Sequence, residues 1–129
     1  MNGFSDVKIS WKGDEFTIPA NSTLMLIAQM ESILSGDTGE QAISVLLRAG
    51  GPPHSALAMA YGAALRHAGC EVTDGEIYLS IQADLAENST DAMVKVNASI
   101  VGLLGIMSPP LASKVVGDDA EKKTKAAKG

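Results

Sequence analysis

The chain holds one cysteine, Cys70, so it closes no internal disulfide and offers no cysteine-rich metal site. A lone cysteine fits a reducing compartment. Aromatic residues are scarce, at 4%, in a sequence that is 46% hydrophobic. The apolar weight therefore falls on Ala, Leu, Ile, Val and Met, most of which suit helices better than sheets. Bases are few and late. Residues 1–108 carry twelve acids against five bases, whereas residues 109–129 carry five lysines against three acids. A domain at −7 with a tail at +2 lacks the clustered Lys and Arg that phosphate contact needs, which excludes nucleic acid as a partner. Such acidity promotes solubility and favours basic partner surfaces. The opening MNGFSDVKISWKGDEF has neither the basic start nor the apolar run of a secretion signal, so a cytoplasmic protein is expected. One uncharged run exists, from Val96 to Ser113. Asn97, Ser99, Gly102, Gly105 and Ser108 dilute it and Pro109-Pro110 break it. A spanning helix wants about twenty mainly apolar residues, so a buried or partner-facing helix is expected instead.

With 129 residues the chain makes one domain. Val7, Ile9 and Trp11 alternate with Lys8 and Ser10, Lys12-Gly13-Asp14 turns, and Phe16 and Ile18 share a face on the return. This pattern predicts a β-hairpin over about 7–18, resting on helices because two strands alone are marginal in water. Pro19–Ser22 punctuates, with Asn21 or Ser22 placed to cap a helix over Thr23–Leu34. Leu26, Ile27, Met30, Ile33 and Leu34 recur there at three and four, giving one buried stripe. Thr38 and Gln41 form a capping-box pattern opening a short helix to about Arg48. Ala49–Pro53 breaks the chain, with Pro53 at the first turn of the next helix, His54–Ala68. That helix carries a small stripe of Ala56, Ala60, Ala64 and Ala68 beside Leu57, Tyr61 and Leu65, as a central helix does. Gly69 is a natural stop. Thr73 and Glu76 make a second capping box, for a helix through about Glu87. Thr90 is placed to cap a last helix, Asp91–Met107, which Pro109-Pro110 ends. The fold class is thus mainly α: an N-terminal hairpin and about five helices in a domain over 1–111. Residues 112–129 lack apolar periodicity and read as a flexible charged tail.

Chemistry-bearing patterns are thin. His54 and His67 are thirteen positions apart on one helix, so they point roughly 220° apart and share no ligand site. His67 and Cys70 have a spacing a metal could use, but Gly69 interrupts the helix between them, and a surface histidine beside a buried cysteine is the plainer reading. Asp84 and Glu87 share a helical face, where acids are usually just solvated. Gly50–His54 precedes a helix, as phosphate loops do, yet has neither the Lys-Ser/Thr pair nor a preceding strand. No enzyme, cofactor or metal is expected.

The last helix has more apolar residues than one buried stripe uses. Met93, Val96, Ile100, Val101, Leu104 and Met107 form a candidate interaction face, open to another chain or a second copy of this one. Met25, Met30, Met59, Met93 and Met107 supply adaptable apolar surface where exposed and ordinary core filling where not.

Taken in order, the segments GDEFTIPA, LMLIAQMESIL and AMAYGAALRHAGCEVTDGEIYLSI resemble the tail assembly chaperones of long-tailed phages and gene transfer agents. The last segment is similar to that family's passage of apolar helix, AG break and V-T-D-x-E capped helix. A closing apolar helix and a charged tail complete a likeness over roughly residues 6–107. The resemblance implies no catalytic residue. It implies a protein of the host cytoplasm, absent from the mature virion, that coats the tape-measure protein, self-associates and recruits tail-tube subunits. In many members a ribosomal frameshift near the gene's end yields a longer second product, and Lys122-Lys123 is compatible with a slippery adenine run. Two other readings stay open: a cellular helical adaptor or regulatory subunit binding a partner helix in an apolar groove, and a small enzyme, which would need convergent polar groups in a concave site.

Overall fold

The computed structural model describes residues 5–36 and 39–114. Its elements run β1 (Val7–Trp11), β2 (Asp14–Ile18), a 3-10 turn (Ala20–Ser22), α1 (Thr23–Ser35), α2 (Ala42–Leu47), α3 (His54–His67), α4 (Asp74–Glu87) and α5 (Ser89–Met107). The fold is mainly helical, with one antiparallel hairpin at its start.

β1 and β2 pair Val7 with Ile18, Ile9 with Phe16 and Trp11 with Asp14. Directly opposed residues share a face, so this register puts the apolar side chains of both strands together. Lys12 (φ 49) and Gly13 (φ 86) make the two-residue turn, the left-handed pair that matches strand twist. Ile9 and Ile18 are buried against α3 and α5, which supply the support two strands need.

Pro19 organises the entry to α1. Its carbonyl accepts from the Ser22 amide, the Ser22 hydroxyl and the Thr23 hydroxyl, each at 3.1 Å. Ser22 occupies the N-cap position but gives its hydroxyl backwards, so the expected side-chain cap by Asn21 or Ser22 is replaced by a 3-10 lead-in. Leu26, Met30 and Leu34 are buried, with Ile27 and Ile33 flanking them. α2 begins later than expected: Gln41 is its N-cap, without a side-chain bond, and Thr38 lies outside the described residues.

α3 is the central helix, packed between α1 and α4. Ala60 and Ala64 are fully buried, and the bulkier Leu57 and Leu65 fill beside them. It ends in a Schellman motif: the Cys70 amide donates to the Leu65 carbonyl at 2.9 Å and the Gly69 amide to Arg66 at 3.1 Å. Gly69, at φ 93, takes the left-handed position, and Cys70 is tucked into the core behind it.

The Thr73–Glu76 capping box forms, with Thr73 Oγ1 accepting from the Glu76 amide and Glu76 Oε1 accepting from the Thr73 amide. The cap of α5 is Asn88, not Thr90. Its Oδ1 accepts from the Asp91 amide at 3.1 Å, and its extended backbone also ends α4, so one residue turns the chain between antiparallel helices. α5 is long and apolar enough to cross a membrane by length and composition, with one third of its Thr90–Met107 window buried inside the fold.

Pro109-Pro110 end α5 but do not end helix. Residues 109–114 form a further helical turn, with both prolines in its first positions, where a missing amide hydrogen breaks no helical bond. Leu111 packs on the core and Ala112 is buried in it, which moves the domain's edge beyond the expected limit at 111. The rest of the lysine-bearing tail, 115–129, lies outside the described residues.

Candidate partner-binding groove

The apolar face read on α5 divides in two. Val96, Ile100 and Leu104 are buried in the domain's own core, with Leu104 at 1% exposure, so they present nothing to a partner. They follow one another at helical spacing with Ala92 and Leu103, and this single stripe meets α2, α3, α4 and the hairpin. Val101 and Met107 are half-buried. Met93 alone of the six is exposed, and Val94 beside it is exposed at 62%. Among the described residues, more strongly exposed apolar side chains sit elsewhere, with Leu24 at 65%, Met25 at 73% and Leu79 at 67%. Among the methionines, Met25, Met59 and Met93 reach solvent while Met30 fills the core.

The remaining candidates resolve into structural roles. His54 lies 3.2 Å from Gln82 and His67 3.2 Å from Gln29, tying the two ends of α3 to different helices. Cys70 is buried, and no cluster of three metal-ligating side chains occurs among the described residues. Gly51 lies so close to α5 that a methyl group would stand 2.8 Å from Ile100 Cδ1, and its amide donates to the Arg48 carbonyl at 2.9 Å. The Gly50–His54 loop is therefore a packing turn.

A cavity of about 470 Å³ lies where β1 meets α3, α4 and α5. Its walls are Trp11 from the hairpin, Leu57 and Tyr61 from α3, Ile77 and Ile81 from α4, and Ala92 and Val96 from α5. Ser80, Ser99, Asp84, Lys95 and Lys12 edge it with polar groups. The hydroxyl of Tyr61 donates to the Ser10 carbonyl at 2.7 Å, pinning the ring against the strand. Burial pushes the Tyr61 hydroxyl above its ordinary value of 10.0, since removing water penalises the phenolate. Lys95 Nζ stands 3.6 Å from Asp84 and 3.7 Å from Asp91, linking α4 to α5. Lys12 Nζ lies 5.4 Å from the centre of the Trp11 ring.

Ile77 is the buried residue of α4, Ile81 packs on the core beside it, and the helix lies against both α3 and α5. At one end Arg66 bonds Asp74 at 2.8 Å and the Val72 carbonyl at 3.1 Å. Gly62 permits this clamp, since a methyl group there would overlap Asp74 Oδ1 and stand 3.2 Å from Ile77 Cδ1.

Sequence reasoning found Asp84 as one of two surface acids, and the structure places it on the groove's edge with Glu87 one turn on and exposed. It missed Trp11, Tyr61, Ile81 and the serines as a site. Their joining depends on where the hairpin lands on three helices, which no local pattern encodes. Comparison with protein-family models, with curated proteins and with solved structures returns no match to this chain.

Proposed function

We propose that this chain is a tail assembly chaperone of a long-tailed phage or gene transfer agent, which binds the tape-measure protein and keeps it dispersed in the host cytoplasm. The observation that carries this reading is the open, apolar, aromatic-walled groove between hairpin and helices, on a small acidic domain. The sequence resemblance supplies the biological setting. A tape-measure protein is a long amphipathic helix, and its uncovered stripe would find other copies of itself. A groove of this kind accepts the apolar face of a helix. Many copies along one partner would add charge that keeps the complex soluble. Exposed Leu24, Met25, Leu79 and Val94 offer further apolar surface for neighbouring copies and for recruited tail-tube subunits.

The test is co-expression with the tape-measure protein encoded beside this gene, followed by measurement of how much of it stays soluble and co-purifies. Several copies of the chaperone per partner are expected, with none in finished particles. If the partner is equally soluble alone and nothing co-purifies, the reading fails, and binding of a cellular partner helix takes its place.

A further inference from the structure

The charges that line the cavity do not balance. Lys12 and Lys95 face it with a single acid, Asp84. Lys95 is already answered, standing 3.6 Å from Asp84 and 3.7 Å from Asp91. The other polar side chains of the lining, Ser10, Ser80 and Ser99, are neutral. What is left over is the Lys12 ammonium, which makes no ion pair among the described residues, not even with Asp14 two positions on. It is also held in place. Lys12 occupies a left-handed turn position at φ 49, and its Nζ stands over the Trp11 ring, 5.4 Å from the centre. The lining is therefore an apolar, aromatic-walled floor with one uncompensated cation at its hairpin end. Its complement is an apolar side chain with a carboxylate close by. A helix supplies that pair, because residues three or four apart lie within about 6 Å of each other. The chain as a whole carries a formal charge of −5, which draws basic partners at long range. Exposed charges more than about 8 Å away are largely screened at physiological salt, so the lining decides what is seated.

We propose that this groove takes a partner helix through a large apolar anchor with an aspartate or glutamate one turn away, the anchor entering between Trp11, Tyr61 and Ile81 and the carboxylate meeting Lys12. The inference rests on the chaperone reading only for the partner's identity; there it states that the tape-measure stretches held are those that set an acid beside an apolar anchor at that spacing. Stretches with lysine or arginine in the acid's place are passed over, although the acidity of the whole molecule favours them.

The probes are three synthetic amphipathic peptides of about eighteen residues that share a leucine stripe and a neutral polar face. They differ only at the two positions one turn to either side of the central leucine, which hold Glu, Gln or Lys. Trp11 is the chain's only tryptophan and lines the groove, so its emission reports occupancy in the full-length protein. At physiological salt the Glu peptide should shift that emission saturably and bind about threefold more tightly than the Gln peptide, as one partly exposed ion pair allows. The Lys peptide should bind more weakly than both. Net charge alone gives the opposite order, so the ranking separates the two. Lys12→Asn keeps the turn, because Asn accepts the left-handed position before Gly, and should erase the preference for Glu. Lys8→Gln removes the same charge from a hairpin position outside the lining and should leave the preference unchanged. Ser80→Phe, which fills the cavity, should abolish the shift with every peptide in a chain of unchanged circular dichroism; Ser99→Phe supplies the same block from α5 if the first variant misfolds. Tightest binding by the Lys peptide, equal binding of all three, no shift with any, or equal effects of the two lysine substitutions overturns the proposal. Capture of the tape-measure protein by a wild type that shows no preference for Glu would overturn this inference and leave the chaperone reading intact. The preference for Glu without tape-measure capture would do the reverse.

Discussion

Gly62 and Gly102 are both helical glycines, and their surroundings give them opposite roles. A methyl group at 62 meets Asp74 and Ile77, while one at 102 meets nothing within 4 Å. Gly62→Ala should push α4 from α3 and cost about 1–3 kcal/mol in urea denaturation, as overpacking does. Gly102→Ala removes unfolded-chain entropy from an exposed helical position and should stabilise by about 0.4–1 kcal/mol. Equal effects from the two would contradict the close approach of α3 and α4. Tyr61 makes a second prediction at this scale. Its hydroxyl is half-buried and ionises above 10.0, so the folded state holds its proton longer than the unfolded state does. The resulting stability is complete below pH 10.0 and is lost as pH rises through the folded value. Tyr61→Phe should flatten that alkaline loss. At neutral pH it should cost about 1–2 kcal/mol, because the Ser10 carbonyl loses its donor. A mutant whose stability falls as steeply as the wild type above pH 10 would show that Tyr61 is not the group responsible.

At the scale of elements, α4 starts from the Thr73–Glu76 capping box and the Arg66–Asp74 ion pair, with Ile77 as its buried residue. Thr73→Ala removes half of the capping box and should cost about 0.5–2 kcal/mol, with the loss concentrated in α4. Amide hydrogen exchange checks this: protection should fall across residues 76–87 and hold in α3, whose Leu57, Ala60, Ala64 and Leu65 are buried. A uniform loss of protection would mean that α4 unfolds only with the whole domain. The same element shows what the sequence makes legible. Thr73 and Glu76 lie three apart before an apolar-periodic run, and the box they predict is the one that forms. The hairpin was legible for a similar reason, since period-two alternation and a Lys-Gly turn act over a few residues. The α1 and α5 caps were read less well, because several residues compete for one position. Ser22 yields to the Pro19 carbonyl and Thr90 to Asn88, choices made by backbone angles rather than composition. The candidate face on α5 fared worst. Val96, Ile100 and Leu104 look like surplus when α5 is read alone, yet α2, α3, α4 and the hairpin all converge on them. Counting apolar residues on one helix says how much surface needs cover and nothing about who covers it.

For the molecule as a whole, the open question is where the domain ends. Composition places the limit near 111, at the point where apolar periodicity stops. The helical turn over 109–114 places it later, because Ala112 is 9% exposed and Leu111 packs on the same core. Two truncations separate these views. A chain ending at Lys114 keeps the whole turn, and residues 115–129 supply only Val115 and Val116 as large apolar side chains. Its thermal midpoint should match the full chain within the scatter of the measurement. A chain ending at Ser108 exposes the core surface that Leu111 and Ala112 cover. At about 25 cal/mol per Å² of apolar surface, a half-buried leucine and a buried alanine are together worth about 2 kcal/mol, which for a domain of this size is several degrees in midpoint. The Ser108 truncation should also expose apolar surface to dye binding, at the end of α5 away from the groove. If both truncations melt alike, the last turn adds nothing to the fold and the compositional limit stands. If the Lys114 truncation is the one that destabilises, the lysine-bearing segment docks on the domain, and the acidic edge of α4 becomes the first place to look for it.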